Sequence, residues 1–303
     1  MLIGSIFGMV TAVTLGVNNL LTAVITRRFG VLRSTVFTLT LAFLVMIGWA
    51  VAIDVPFNIR ADQVLFLGGL GAAAAGSFVG TYMALRLGPV SIVSPISALG
   101  GAVTVVYSYL WLGEEPSFLQ WAGIAIAVIG AVLASLVIEA GAKIRLVTWG
   151  PVFAMIGVLV GAISNAGLKI PIQDGLDSNL TIITQRAFTV LYAALLFFVV
   201  TLWRKNRVTA GGGPFSEEEP DRVRLTWRNS WPLIVVGLID AVSFVSFGYG
   251  LANAPAWLIG ILSQSGRVIA VIGGVVFFKE RLLGYQWTGV ILVGIGVAMS
   301  IVG

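Results

Sequence analysis

Apolar positions along this chain come in ten blocks of about 20 residues, each bounded by charges, Pro or Gly. They fall at 2–24, 34–53, 64–86, 90–112, 118–138, 148–170, 181–203, 231–252, 256–278 and 286–302. A block of that length crosses a hydrocarbon layer as a helix, and a helix satisfies its own backbone where no water can. The blocks lack the alternation of a transmembrane barrel strand. The pattern predicts an all-α polytopic membrane protein with ten transmembrane helices. No charged segment precedes the first run, which starts at Leu2, so no cleaved signal peptide is expected and the first helix should stay. The one long polar stretch, 204–230, holds Gly211-Gly212-Gly213-Pro214 and Glu217-Glu218-Glu219-Pro220. It reads as a solvated linker between the seventh and eighth spans.

Composition sharpens this picture. Of 303 residues, 58% are hydrophobic and 10% charged, and the mean hydropathy is +1.01; soluble domains carry roughly 25% charged residues. Cys and His are both absent, which excludes disulfides, Cys nucleophiles, Ser-His-Asp triads and the commonest metal ligand. No cofactor or metal is called for. The net charge of +5 reports orientation rather than a nucleic-acid partner, because basic loops of membrane proteins collect in the cytoplasm. Fourteen of the eighteen Lys and Arg residues lie in loops after odd-numbered spans, among them Arg27, Arg28, Arg33 and Arg86. The other side has Arg60 and the helix-end Lys169, while Arg186 and Arg267 fall inside spans. The cell (cytoplasmic) membrane is thus the expected location, with the 204–230 loop inside and both termini outside.

The chain also repeats itself. An offset of 166 aligns 77–130 with 243–296, pairing Ser77-Phe78-Val79 with Ser243-Phe244-Val245, Ser97 with Ser263 and Glu114 with Glu280. An offset of 146 pairs Gly4, Phe7, Met9 and Asn19 with Gly150, Phe153, Met155 and Asn165. Each half, 1–142 and 143–303, then holds five helices. Because five is odd, the halves must be inverted relative to each other, an arrangement that lets transporters alternate between two mirror conformations.

Leu112-Gly113-Glu114 followed by Gln120-Trp121-x-Gly123, and Phe278-Lys279-Glu280-Arg281 followed by Gln286-Trp287-x-Gly289, resemble the paired helix-end signatures of the EamA-type family of the drug/metabolite transporter superfamily. The Pro opening each preceding helix strengthens the likeness. The resemblance covers essentially the whole chain. It implies ten helices in two inverted repeats, a central cavity lined mainly by helices one, three, four, six, eight and nine, and movement of small metabolites, often outward. Glu114 and Glu280 sit at helix ends and read as interface or capping residues.

Candidate chemistry lies inside the spans. Asp240 and Arg267 stand near the middle of neighbouring antiparallel spans, where an unpaired charge is too costly to face lipid. Two readings stand: a couple that holds a zwitterionic or polar solute or exchanges a proton as the halves rock, and a structural ion pair joining the two helices. Gly260, Ser263, Gln264 and Arg267 share one helix face, and Ser243 follows Asp240 at i+3. Asn18 and Asn19 in the first span and Asn165 in the sixth suit hydrogen bonding to a polar solute, with interhelical bonding as the competing use. Tyr82 is a candidate cavity wall, and Ser97 joins the set as the repeat mate of Ser263. The function expected is a secondary transporter of small polar or zwitterionic, amino-acid-like metabolites, working as an exporter across the bilayer. No ATP-binding Gly-x-x-x-x-Gly-Lys-Ser/Thr sequence is present. A channel or an intramembrane lipid-modifying enzyme is the alternative.

Overall fold

In a computed structural model, the structure describes residues 1–87, 90–135, 149–206, 227–266, 268–269, 272–273 and 284–302, and among these the only regular elements are helices. They are α1 (Leu2–Phe29), α2 (Val31–Ala52), α3 (Ala61–Leu87), α4 (Val90–Trp111), α5 (Phe118–Ser135), α6 (Trp149–Gly167), α7 (Lys169–Gln173), α8 (Ser178–Asn206), α9 (Trp227–Asn253), α10 (Ala256–Ser265) and α11 (Gly284–Val302). Six helical stretches among the described residues are long and apolar enough to cross a membrane, and four shorter apolar helices match the remaining blocks. Most of the 204–230 linker, and Lys279, Glu280 and Arg281 of the second signature, lie outside the described residues.

Local chemistry sets the boundaries. α1 runs five residues past its predicted end, and Gly30 alone separates it from α2, with φ of 84°, a left-handed backbone that glycine adopts without steric cost. The sixth block is split. Pro171 lacks an N–H, and its ring crowds the carbonyl of residue 167; α6 accordingly stops at Gly167, and α7 follows Leu168 as a separate turn. The ninth block is interrupted: α10 ends at Ser265 with a turn at Gly266, residues 268–269 and 272–273 are helical again, and the remainder of the block to 278 lies outside the described residues. A side chain on Gly266 would overlap the Ala12 carbonyl of α1, so the two backbones cross in direct contact. The start of α5 is capped: Gln120 Oε1 accepts the Ser117 N–H at 2.8 Å and Ser117 Oγ accepts the Gln120 N–H at 3.2 Å, a reciprocal capping box. Gln120 of the first signature is therefore a helix cap. Asp177 does the same for α8, accepting from Asn179 N–H at 2.8 Å.

The packing map comes in matched pairs. α1 packs on α9 and α10, as α6 packs on α3 and α4; α2 packs on α9, as α8 packs on α3. α2 with α8, α4 with α10, and α5 with α11 close the arrangement. Small residues allow a close crossing between α3 and α6: Gly80 and Gly157 meet backbone to backbone, and Ser77 Oγ donates to the Gly157 carbonyl at 2.6 Å. Of the residues in the small-residue repeats, Gly76 faces open space.

Candidate functional site

Where α1, α3, α6, α9 and α10 converge, they enclose a cavity of about 100 Å³, room for several waters or a small solute. Its walls include Asn18, Asn19, Tyr82, Asn165, Asp240, Ser243, Ser263 and Gln264. Asn18 and Asn165, on different helices of the two halves, face this one shared space. Ser97 is buried on α4 and is not among the lining residues. Arg267 lies outside the described residues.

The described residues show a charged couple that was not expected. Asp240 pairs with Arg186 of α8, whose Nη2 stands 3.1 Å from Asp240 Oδ2. Both are almost fully buried, Arg186 at 1% and Asp240 at 2% exposure. The guanidinium lies close to two rings, with its carbon 3.8 Å from the centre of Phe244 and 5.0 Å from that of Phe78, where ring quadrupoles attract a desolvated cation. The contact is close but not aligned as a hydrogen bond. Both Asp240 oxygens and the three guanidinium nitrogens keep unspent hydrogen-bonding capacity. Asp240, Phe78 and Phe244 are among the residues that line the cavity, and Arg186 is not.

The remaining walls divide by whether their polar groups are already occupied. Thr11 Oγ1 donates to the Phe7 carbonyl at 2.9 Å, Ser243 Oγ to Ile239 at 2.7 Å and Ser263 Oγ to Gly260 at 2.8 Å. These hydroxyls are spent on their own helices. Tyr82 shares a hydrogen bond with Thr38 at 3.2 Å. Asn18 Oδ1 and Asn19 Nδ2, by contrast, are buried without a partner, a rare and costly condition for a protein interior. Ser164, which shares the sixth span with Asn165, is occupied in joining helices: it donates to Leu70 of α3 at 2.7 Å and accepts from Gln185 of α8 at 2.9 Å.

Arg186, Ser77, Phe78, Thr81, Phe244 and Phe247 are parts of this site and its backing that the hydropathy pattern did not single out. Arg186 carried a signal, being a charge inside a span, but its depth did not say which neighbour it meets. The expected end-capping role of Glu114 is realised across the two halves: its carboxylate accepts the Ala256 N–H at 2.8 Å and the Trp257 N–H at 3.3 Å, capping α10. At the same turn Lys169 Nζ donates to the carbonyls of Leu251 and Ala254 at the end of α9. Charge and helix dipole match in both cases.

The family model of EamA-like transporters matches residues 2–136 and again 148–302. This chain belongs to the EamA-like transporter family. It is thus a multi-pass membrane protein of the drug/metabolite transporter superfamily, and the family points to transport rather than to catalysis. An uncharacterised transporter encoded beside cobO in a Sinorhizobium species is 32% identical over 78 residues, 26% of this chain and 55% of that protein. An uncharacterised protein of Methanocaldococcus jannaschii is 44% identical over 55 residues, 18% of this chain and 40% of that protein. The EamA chain spans about half the length of these curated relatives. A protein of known crystal structure shares the fold, with a TM-score of 0.72 at 17% identity over 98% of both chains.

Proposed function

We propose that this EamA protein carries small polar or zwitterionic, amino-acid-like metabolites outward across the cytoplasmic membrane, by alternating access of two inverted five-helix repeats, 1–142 and 143–303. The observation that carries this reading is a cavity whose walls come from corresponding positions of both halves and whose unspent polar groups are Asp240, Asn18 and Asn19. Ala74 and Asp240, Ser77 and Ser243, and Phe78 and Phe244 are related by the offset of 166, and Asn19 and Asn165 by that of 146; all eight line the cavity. The matched pairs of helix contacts and the two family matches support the same duplication. Halves of like packing and opposite orientation can exchange conformations around a fixed central site.

The cargo class follows from complementarity. Asp240 and Asn18 Oδ1 offer acceptors to an ammonium or hydroxyl group, and Asn19 Nδ2 offers a donor to a carboxylate or carbonyl. A solute that satisfies buried groups recovers the desolvation cost of leaving them unpaired. Arg186 pairs with Asp240 and is not among the residues that line the cavity. The loop charges place 204–230 in the cytoplasm and both termini outside.

Purified protein in liposomes should give saturable, counterflow-competent flux of a small zwitterion such as serine. Asp240→Asn should abolish that flux while the protein remains folded, and Asn18→Leu should weaken it about tenfold, as expected for roughly 1.4 kcal/mol of hydrogen bonding. Linear, unsaturable flux would make the protein a channel, and chemical conversion of the solute an enzyme. Saturable flux of cationic amines with none of zwitterions would overturn the cargo class.

A further inference from the structure

α2 has two faces with different tasks. Ser34, Thr35, Thr38 and Ala42 are buried against neighbouring helices, whereas Arg33, Val36, Phe37, Thr40, Leu41 and Leu44 line a separate groove of about 440 Å³ together with Phe197 of α8. The α2 residues fall at i, i+3, i+4, i+7, i+8 and i+11, one continuous stripe. Arg33 stands at one end, and every other residue of the stripe except Thr40 is apolar. Phe37 and Leu44 are exposed.

The dimensions match one leaflet. From Arg33 to Leu44 the helix rises eleven residues, about 16 Å at 1.5 Å per residue, roughly half of a 30 Å hydrocarbon core. A charge at the headgroup level followed by an apolar trough reaching the midplane has the shape and polarity of an acyl lipid. The sign of the headgroup follows from the charge of the α1–α2 segment. Arg27, Arg28 and Arg33 are all exposed around the α1–α2 turn, and the first acidic residue in the chain is Asp54, at the opposite end of α2.

We propose that this groove between α2 and α8 is a binding site for an anionic phospholipid, with the phosphate at Arg33 and one acyl chain along Phe37, Leu41, Leu44 and Phe197. The site is distinct from the central cavity and does not depend on the cargo assigned to it. It is placed to influence that cavity. Thr38, on the buried face of α2, holds the Tyr82 hydroxyl of the cavity wall, and Leu41 packs on Gly237, three residues before Asp240.

The test uses the full-length protein reconstituted with equal amounts of phosphatidylglycerol and phosphatidylcholine of identical chains, followed by native mass spectrometry of retained lipid. Phosphatidylglycerol should be retained preferentially, and Arg33→Gln should lower that preference about fivefold, the effect of one basic residue at a membrane surface. Arg60→Gln, at the other end of α2's neighbour α3, should leave it unchanged. Leu44→Trp, which fills the trough, should reduce retention of both lipids while the melting temperature in detergent is kept. Equal retention of the two lipids by the unaltered protein, or no effect of Arg33→Gln, would overturn the proposal. So would disulfide-linked dimers of Phe37→Cys in the otherwise Cys-free chain, which would show a second copy seated in the groove.

Discussion

Replacing one member of the Asp240–Arg186 pair leaves the other buried without the salt-bridge partner it has among the described residues. Their side chains are 3% and 1% exposed and their closest atoms 3.1 Å apart. At an effective dielectric of 20, two unit charges at that distance attract by about 5 kcal/mol, and truncating one partner of a buried pair typically costs about 3–5 kcal/mol because the survivor is left unpaired. Arg186 retains its two ring contacts after Asp240→Asn, worth about 2 kcal/mol in a desolvated setting, so the loss falls toward the lower end, about 3 kcal/mol. Arg186→Met removes those contacts as well and should cost at least as much. The double replacement Asp240→Leu with Arg186→Met leaves no buried charge and should recover most of the loss, an interaction energy of about 2 kcal/mol or more in the cycle. Reversible unfolding by SDS in mixed micelles reads all three variants, and flux in liposomes is measured on the same preparations. If Asp240 serves the solute, the double variant is stable and inactive; if the pair only joins α8 to α9, it is stable and transports normally. Strictly additive single losses, or a change below about 0.5 kcal/mol for Asp240→Asn, the usual size for surface substitutions, would refute the pairing itself.

Three further outcomes follow from other parts of the structure. Gly266→Ala places a methyl group on the Ala12 carbonyl and should cost about 1–3 kcal/mol by forcing α10 away from α1, visible as a lowered melting temperature. Glu114→Ala removes the cap of α10 and should cost about 1 kcal/mol, with Glu114→Gln closer to the unaltered protein because it keeps an acceptor; hydrogen exchange at the Ala256 and Trp257 amides should accelerate in the first variant. A Cys introduced at exposed Asn58, between α2 and α3, should react with an impermeant thiol reagent added to intact cells, and labelling only after lysis would reverse the assigned orientation.

The sequence by itself determined that the chain is built of apolar helices long enough to span a membrane, because hydropathy is a local property and each span must satisfy its own backbone. It also carried the duplication, and it marked Asp240 as inward-facing, since a charge at that depth is too costly against lipid. Helix starts such as Ser117 with Gln120 were legible for the same reason, as both partners lie within one turn. What hydropathy reports is depth along the bilayer normal; it does not report which way a helix is rotated or which helices stand beside it. Asp240 was expected to share a depth with Arg267, which lies outside the described residues; the tertiary packing of α8 against α9 brings Arg186 to the carboxylate, with the guanidinium close to the rings of Phe78 and Phe244. The same azimuth leaves Ser97 off the cavity wall despite its repeat mate Ser263 being on it. Glu114 reaches the start of α10 from 142 residues away, and Asn18 Oδ1 and Asn19 Nδ2 stand unpartnered while Ser243 and Ser263 bond to their own helices. Each of these depends on the lateral arrangement of helices, which is set by small-residue contacts summed over the whole bundle and not by any one segment.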